Sequence, residues 1–201
     1  MMLVAPVAPR PVAKATAAQR RKAVVRAKTS SGSVEWYTPR FIIEAARSVL
    51  GDIDLDPASC AEANVVVRAR IYYVKADDGF SKPWRGRVWL NPPYGVRNRR
   101  SNQDVWTARL FRLYDEGKVA AGLALVNAET GSKWFEPLWQ RWVCLLYRRV
   151  HFWTSGEEKS QPTHSNAVIY AGPDPERFAQ VFSRFGRVIP PLPVQGQGQL
   201  L

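Results

Sequence analysis

The chain has 201 residues, 46% of them hydrophobic and 11% aromatic, which suits one packed domain with tails. Its formal net charge of +12 favours a polyanionic partner, and no apolar run approaches the ~20 residues of a membrane-spanning helix. Two cysteines (Cys60, Cys144) and two histidines (His151, His164), with no CxxC pair, argue against a disulfide framework or a metal centre, and no nucleophile-elbow pattern is present.

Residues 1–33 carry seven basic residues and no acid, among repeated Ala, Pro and Val. This composition reads as a disordered basic arm, and the rest of the chain is basic as well. A folded part is expected over 34–189. Thr38-Pro39 opens a helix, with Thr38 as N-cap and Pro39 in the first turn. Ile42, Ala45, Ala46 and Val49 then share one face, and Gly51 ends the helix. A short strand comes next at 52–57 and breaks at Pro57. Ser59 and Glu62 have capping-box spacing for a second helix. A strand at 87–90 stops at Asn91-Pro92-Pro93-Tyr94. Residues 103–116 predict a helix, with Trp106, Leu110, Leu113 and Tyr114 on one stripe. The uninterrupted apolar run Val119 to Val126 predicts a strand buried on both faces. A short helix over Ser132–Gln140, apolar segments at 143–147 and 150–153, a strand at 167–170 and a helix from Asp174-Pro175 through Arg184, closed by Gly186, complete the folded part. Residues 190–201 carry no charge and read as a flexible tail. Strands alternating with helices predict an α/β fold, a single domain with a mostly parallel twisted sheet flanked by helices. Ligands of such sheets lie beyond the carboxyl ends of strands, which directs attention to the end of the 87–90 strand.

The Asn91-Pro92-Pro93-Tyr94-Gly95 turn stands at that position. It presents two acceptors, the Asn91 side-chain oxygen and the Pro92 carbonyl, on a turn stiffened by two prolines that lack competing N–H donors. An exocyclic amino group on adenine is a poor nucleophile, because its lone pair is delocalised into the ring. Two acceptors that take both of its N–H protons draw the nitrogen toward a tetrahedral, reactive geometry. Tyr94 can stack on the base. A base inside a duplex must be flipped out to reach such a turn. Taken alone, the motif is also an ordinary tight turn.

Three further blocks, and an extension of the motif back to Pro83, complete the pattern. Glu35-Trp36-Tyr37-Thr38-Pro39, then Asp54-Leu55-Asp56-Pro57-Ala58-Ser59, then Asp77-Asp78-Gly79-Phe80, then Pro83 through Gly95 occur in an order that resembles the compact phage N-6-adenine DNA methyltransferase family. Trp134-Phe135, Arg149 through Phe152 and Ala167 through Gly172 look like the same family, so the resemblance covers roughly 34–189. It implies a Rossmann-like class I methyltransferase domain, S-adenosylmethionine as methyl donor, and duplex DNA with a flipped adenine as substrate. It also implies catalysis by Asn91, Pro92, Pro93 and Tyr94, with no metal and no membrane. By position, Thr38-Pro39 would lie along the methionine part of the cofactor, with Trp36 and Tyr37 bordering it. Asp56-Pro57-Ala58 matches the first cofactor motif, in which Asp54 or Asp56 accepts from a ribose hydroxyl or the ammonium group. Asp78, with Asp77 as the alternative, matches the acid that bonds the cofactor adenine. The family context suggests a phage or prophage enzyme in the bacterial cytoplasm. One departure is plain: Ser59-Cys60-Ala61 stands where the general methyltransferase pattern has Gly-x-Gly.

Arg97, Arg99 and Arg100 after the motif, and the pair Arg148-Arg149, are candidate DNA contacts; a solvated surface is the plain alternative reading of each. The loop from His151 to His164, with Lys159, is a further candidate. Competing functions keep the chemistry on another substrate, RNA adenine or a protein glutamine amide, or keep the fold without activity as a DNA-binding protein. Asn91 argues against a cytosine-N4 enzyme, which usually has Ser or Asp there.

Overall fold

Helix α1 (Arg40–Leu50) is the first regular element of the computed structural model, which describes residues 37–154, 157–158 and 164–192. Arm 1–33, Trp36, Lys159 and the tail from 193 onward lie outside the described residues. The start of α1 differs from expectation. Pro39, not Thr38, occupies the N-cap, in extended backbone, and its carbonyl accepts the N–H groups of Ile42 (3.1 Å) and Ile43 (3.4 Å). Thr38 is held outside the helix because its neighbour Tyr37 exchanges two backbone hydrogen bonds with Trp153, of 2.8 and 3.1 Å. The helix ends at Gly51, whose positive φ of 76° and N–H bond to the Arg47 carbonyl turn the chain out.

The 52–57 strand contracts to β1 (Leu55–Asp56), since Pro57 offers no N–H to a ladder. Helix α2 (Ala61–Val67) begins one residue later than the Ser59 capping box predicts. Cys60 is the N-cap, its sulfur accepting the Ala63 N–H at 3.4 Å, because the Ser59 N–H is committed to the Tyr73 carbonyl at 2.9 Å. Next come β2 (Ile71–Tyr72), β3 (Gly86–Leu90) and a small hairpin of β4 (Val96–Arg97) and β5 (Arg100–Ser101). Helix α3 (Asn102–Asp115) and strand β6 (Val119–Asn127) come after it. The expected helix at 132–140 is only a 3-10 turn over Glu136–Gln140, because Pro137 and the Phe135-to-Ser132 backbone bond favour the tighter winding. Strands β7 (Trp142–Leu146), β8 (Trp153–Thr154), β9 (Glu157–Glu158) and β10 (Asn166–Ala171) lead to α4 (Pro175–Phe182). Asp174 caps α4 by accepting the Arg177 N–H at 2.9 Å. That helix stops at Phe182, short of Arg184, and Gly186 opens a strand that was not expected, β11 (Gly186–Ile189). Beyond it, the Leu192 N–H still reaches the Trp139 carbonyl at 2.8 Å.

Seven strands form one sheet in the order β11-β7-β10-β6-β3-β1-β2. The half β2-β1-β3-β6 is parallel, whereas β10 and β11 run antiparallel to their neighbours. The sheet is thus evenly mixed rather than mostly parallel. The reason lies in β10, which inserts antiparallel between β6 and β7; α4 then carries the chain over β7 to β11, which runs parallel to β10 and so antiparallel to β7. Side chains alternate between two cores. Trp89, Leu123, Leu125, Val168 and Tyr170 pack under α1, α2 and α4. Val88, Leu90, Ala124, Val126 and Ile169 pack under α3 and the 136–140 turn. Trp84 and Trp89 are both buried, as packing residues.

The chain leaves β1 toward β2 on one side, then crosses to β3 on the other. The carboxyl ends of β1 and β3 therefore flank a point where the winding reverses, the usual place for a crevice in an open α/β sheet.

Candidate active site

The carboxyl edge of the sheet gathers most of the sequence candidates. Asn91 leaves β3 there, Asp56 ends β1, and β7 runs alongside β6 through their shared partner β10, so the exposed pair Arg148-Arg149 lies at the same edge. Pro92 is buried, Pro93 is exposed and the Tyr94 ring is half-exposed, with desolvation raising its phenol above the ordinary value. The turn is held from behind: the Asn102 N–H donates to the Gly95 carbonyl at 2.9 Å and its amide to the Tyr94 carbonyl at 3.3 Å. Asn91, Pro92 and Tyr94 line a narrow crevice, too tight in this structure to admit a water molecule, together with three buried amides, Gln103, Asn127 and Asn166.

Sequence reasoning missed the three amides. Gln103 is in the first turn of α3, where Ser101 accepts its N–H (3.2 Å) and Thr107 donates to its carbonyl (2.6 Å). Its side-chain oxygen accepts the Asn127 backbone N–H at 2.7 Å. Asn166 accepts from the Val150 N–H (3.2 Å) and donates to the Val126 carbonyl (3.4 Å), so both ends of its amide hold framework. A readable signal existed: Gln103 falls in register with Trp106, Thr107 and Leu110 on the buried stripe, and Asn127 terminates an apolar run.

Tyr37 and Thr38 reach the same wall. The Tyr37 ring meets Trp153 edge-on at 4.7 Å, the Trp153 indole donates to the Thr38 carbonyl at 3.3 Å, and the neighbouring Phe152 lines the recess. Trp36 lies outside the described residues.

The two aspartates of the 54–59 block separate. Asp54 is committed to Arg87, whose Nε and Nη2 lie 2.8 and 3.1 Å from its oxygens and whose backbone N–H adds 2.9 Å. This ion pair, with Arg70 at 3.6 Å, holds the Asp54 carboxyl below its ordinary pKa and ties the start of β1 to β3. Asp56 is 3% exposed, and its carboxylate accepts the Ala58 N–H at 3.2 Å. Burial pushes its pKa up to about 6, against the Ala58 hydrogen bond.

The Asp77–Phe80 block packs onto the end of β1. A Cβ on Gly79 would collide with the Pro57 carbonyl, and the Trp84 indole donates to the Gly79 carbonyl at 2.8 Å. Asp77 is structural, accepting the Val74 N–H at 2.9 Å. Asp78, exposed and in left-handed backbone (φ 46°), pairs with both terminal nitrogens of Arg97 at 3.1 and 3.3 Å, which lowers its pKa. The same guanidinium lies 4.5 Å above the Phe80 ring. Arg100 is engaged as well, twice at 2.7 Å with Asp104. Arg99 stands at the hairpin tip, exposed, where it and Asn98 both have positive φ (64° and 51°).

A wider surface hollow at Glu44, Arg47, Asp52 and Arg68 lies at the opposite edge and holds none of the candidates; Arg47 and Asp52 pair there at 3.1 Å. Among the described residues no group of three or more His, Cys, Asp or Glu could hold a metal ion, and no helix is long and apolar enough to cross a membrane.

An α/β protein with a polar recess at the carboxyl edge, beside a winding reversal, is thereby defined. The chain belongs to the DNA N-6-adenine-methyltransferase (Dam) family, whose model matches residues 27–170, well over half of its length. Membership implies methylation of adenine N6 in DNA. No curated protein and no solved structure matches the chain.

Proposed function

We propose that this chain transfers a methyl group from S-adenosylmethionine to the N6 amino group of an adenine flipped out of duplex DNA, with Asn91 to Tyr94 as the catalytic turn of a Rossmann-like class I methyltransferase domain. The observation that carries the reading is the Asn91-Pro92-Tyr94 turn lining a narrow polar crevice at the carboxyl edge of β3 in a chain of this family. Asn91 and Pro92 supply the two acceptors for the amino protons, and the half-exposed Tyr94 ring supplies a stacking face. Attack on a methyl carbon is then a matter of alignment and of stabilising positive charge that develops on N6.

The residues at the ends of β1 and β2 fit the cofactor. Asp56 is a buried carboxylate with no arginine or lysine among its hydrogen-bond partners in the described residues, a site whose charge a ribose hydroxyl or ammonium group would offset. Asp56 takes this role rather than Asp54, which Arg87 occupies. Asp78 offers a second carboxylate on the adjoining loop, and Tyr37-Thr38-Pro39 close the side toward Trp153. S-adenosylmethionine, when bound, supplies an electrophilic methyl group on a sulfonium. Arg99, Arg148 and Arg149, exposed at the same edge, would hold backbone phosphates.

The test is transfer of labelled methyl to unmethylated duplex DNA, with nucleoside analysis of the product. N6-methyladenine is expected, and Asn91→Ala should abolish it while fold and DNA affinity persist. Full activity in that variant would sink the role of the turn. Labelling of RNA but not DNA would move the substrate to RNA, and absence of cofactor binding would leave a DNA-binding protein.

A further inference from the structure

We propose that Gln103 reads the target base, donating its amide N–H to the ring nitrogen that flanks the amino-bearing carbon of adenine. This inference rests on the function proposed above and adds a base-reading residue to it. Three observations carry it. First, Gln103 is 7% exposed yet lines the recess beside Asn91, Pro92 and Tyr94. Second, its orientation is fixed by chemistry: the partner at 2.7 Å is the Asn127 N–H, which can only donate, so the atom facing it is the amide oxygen. The NH2 group must then point elsewhere, and among the described residues it has no hydrogen-bond partner. Third, its backbone is pinned on both sides, by Ser101 and Thr107, so the donor is set in place before any ligand arrives. Asn166, by contrast, has both its amide oxygen and its NH2 group engaged with backbone.

The resulting pattern is two acceptors, from Asn91 and Pro92, beside one donor, from Gln103. Adenine presents its complement: two amino protons next to a ring nitrogen lone pair, N1 on one side or N7 on the other. Thymine, and guanine at its six-position, present a carbonyl next to a ring N–H or a lone pair, so the acceptors of the turn would face an oxygen. Cytosine shares the amino-beside-lone-pair pattern at N4 and N3, so the donor on α3 discriminates against thymine and guanine and adds to the choice of an amino-bearing base made by the turn.

Gln103→Glu isolates the donor, because the carboxylate keeps an acceptor for the Asn127 N–H and loses the NH2 group. Steady-state kinetics would be measured on duplexes carrying adenine, 1-deazaadenine or 7-deazaadenine at the methylated position. We expect Q103E to lower kcat/KM on adenine about 10- to 100-fold, with cofactor affinity unchanged. The wild type should show a comparable loss on one of the two analogues, the one that lacks the nitrogen being read, and on that analogue Q103E should add little further loss. Gln103→Met, of similar size and uncharged, also removes the donor, together with the acceptor for the Asn127 N–H, and serves if Q103E does not fold. Equal losses on adenine and on both analogues, or undiminished activity, would overturn the proposal alone. A wild-type chain that methylates no adenine would overturn it together with the function it rests on.

Discussion

Asp56 carries a burial cost that its neighbours do not remove. Its carboxyl titrates at about 6 in the folded chain. The folded state therefore holds this proton more tightly than the unfolded state does. The contribution to stability is complete below the ordinary carboxylate range and is lost as pH rises through about 6. A shift of roughly two units corresponds to about 3 kcal/mol as an upper bound. Asp56→Asn should accordingly raise the thermal midpoint at neutral pH, and the gain should shrink as the buffer is taken toward about pH 4. The same variant should bind S-adenosylmethionine more weakly, as isothermal titration would read. A midpoint no higher than wild type at neutral pH would mean that some other group already neutralises the carboxylate. Asp54 gives the opposite behaviour: its lowered pKa makes the Arg87 pair a contribution present at neutral pH and lost on acidification.

Among the elements, the β4–β5 hairpin joins the Asn91–Tyr94 turn to α3, and its arginines divide by partner. Arg97 is held on Asp78 and Phe80, Arg100 on Asp104, and Arg99 projects at the tip. Arg99→Ala should therefore weaken duplex binding and reduce the slope of log affinity against log salt by about 1. Arg97→Ala should act first on cofactor affinity, through Asp78. Titrations at several salt concentrations would separate the two; identical effects would mean that the Arg97–Asp78 pair opens on DNA. Neither this division nor the hairpin was legible in the sequence. Elements such as β2, β4, β5, β8 and β9 are two residues long, and a partner across space rather than a local period creates them. Strands β3, β6 and β10 were legible because burial on both faces leaves a continuous apolar run. The same contrast holds in the site. Asn91 to Tyr94 is contiguous and could be read directly, whereas the use of Gln103 depends on which end of its amide Asn127 occupies, and Asp54 and Asp56 part company only once Arg87 is placed beside one of them.

At the scale of the whole molecule, the sheet explains why the family match can end at residue 170, with β10, and leave α4 and β11 beyond it. Everything at the carboxyl edge that forms the site comes before α4. Helix α4 and strand β11 instead cover the sheet: Phe178 and Phe182 seal one face, and β11 pairs with the exposed side of β7. Charge is also distributed beyond the site. Of the net +12, residues 1–33 contribute seven positive charges and no negative one. Removing 1–33 should leave kcat and the methylated base unchanged, because the Asn91–Tyr94 turn and Gln103 lie elsewhere in the sequence. Each phosphate neutralised contributes about 0.9 to the salt slope, so the slope should fall by as much as about 6 if all seven charges engage DNA. Duplex titrations of the full and shortened chains across a salt series would measure it. A marked drop in slope assigns nonspecific affinity to the arm. An unchanged slope assigns it to the remaining chain, whose own charge is positive and whose exposed Arg99, Arg148 and Arg149 stand at the carboxyl edge of the sheet.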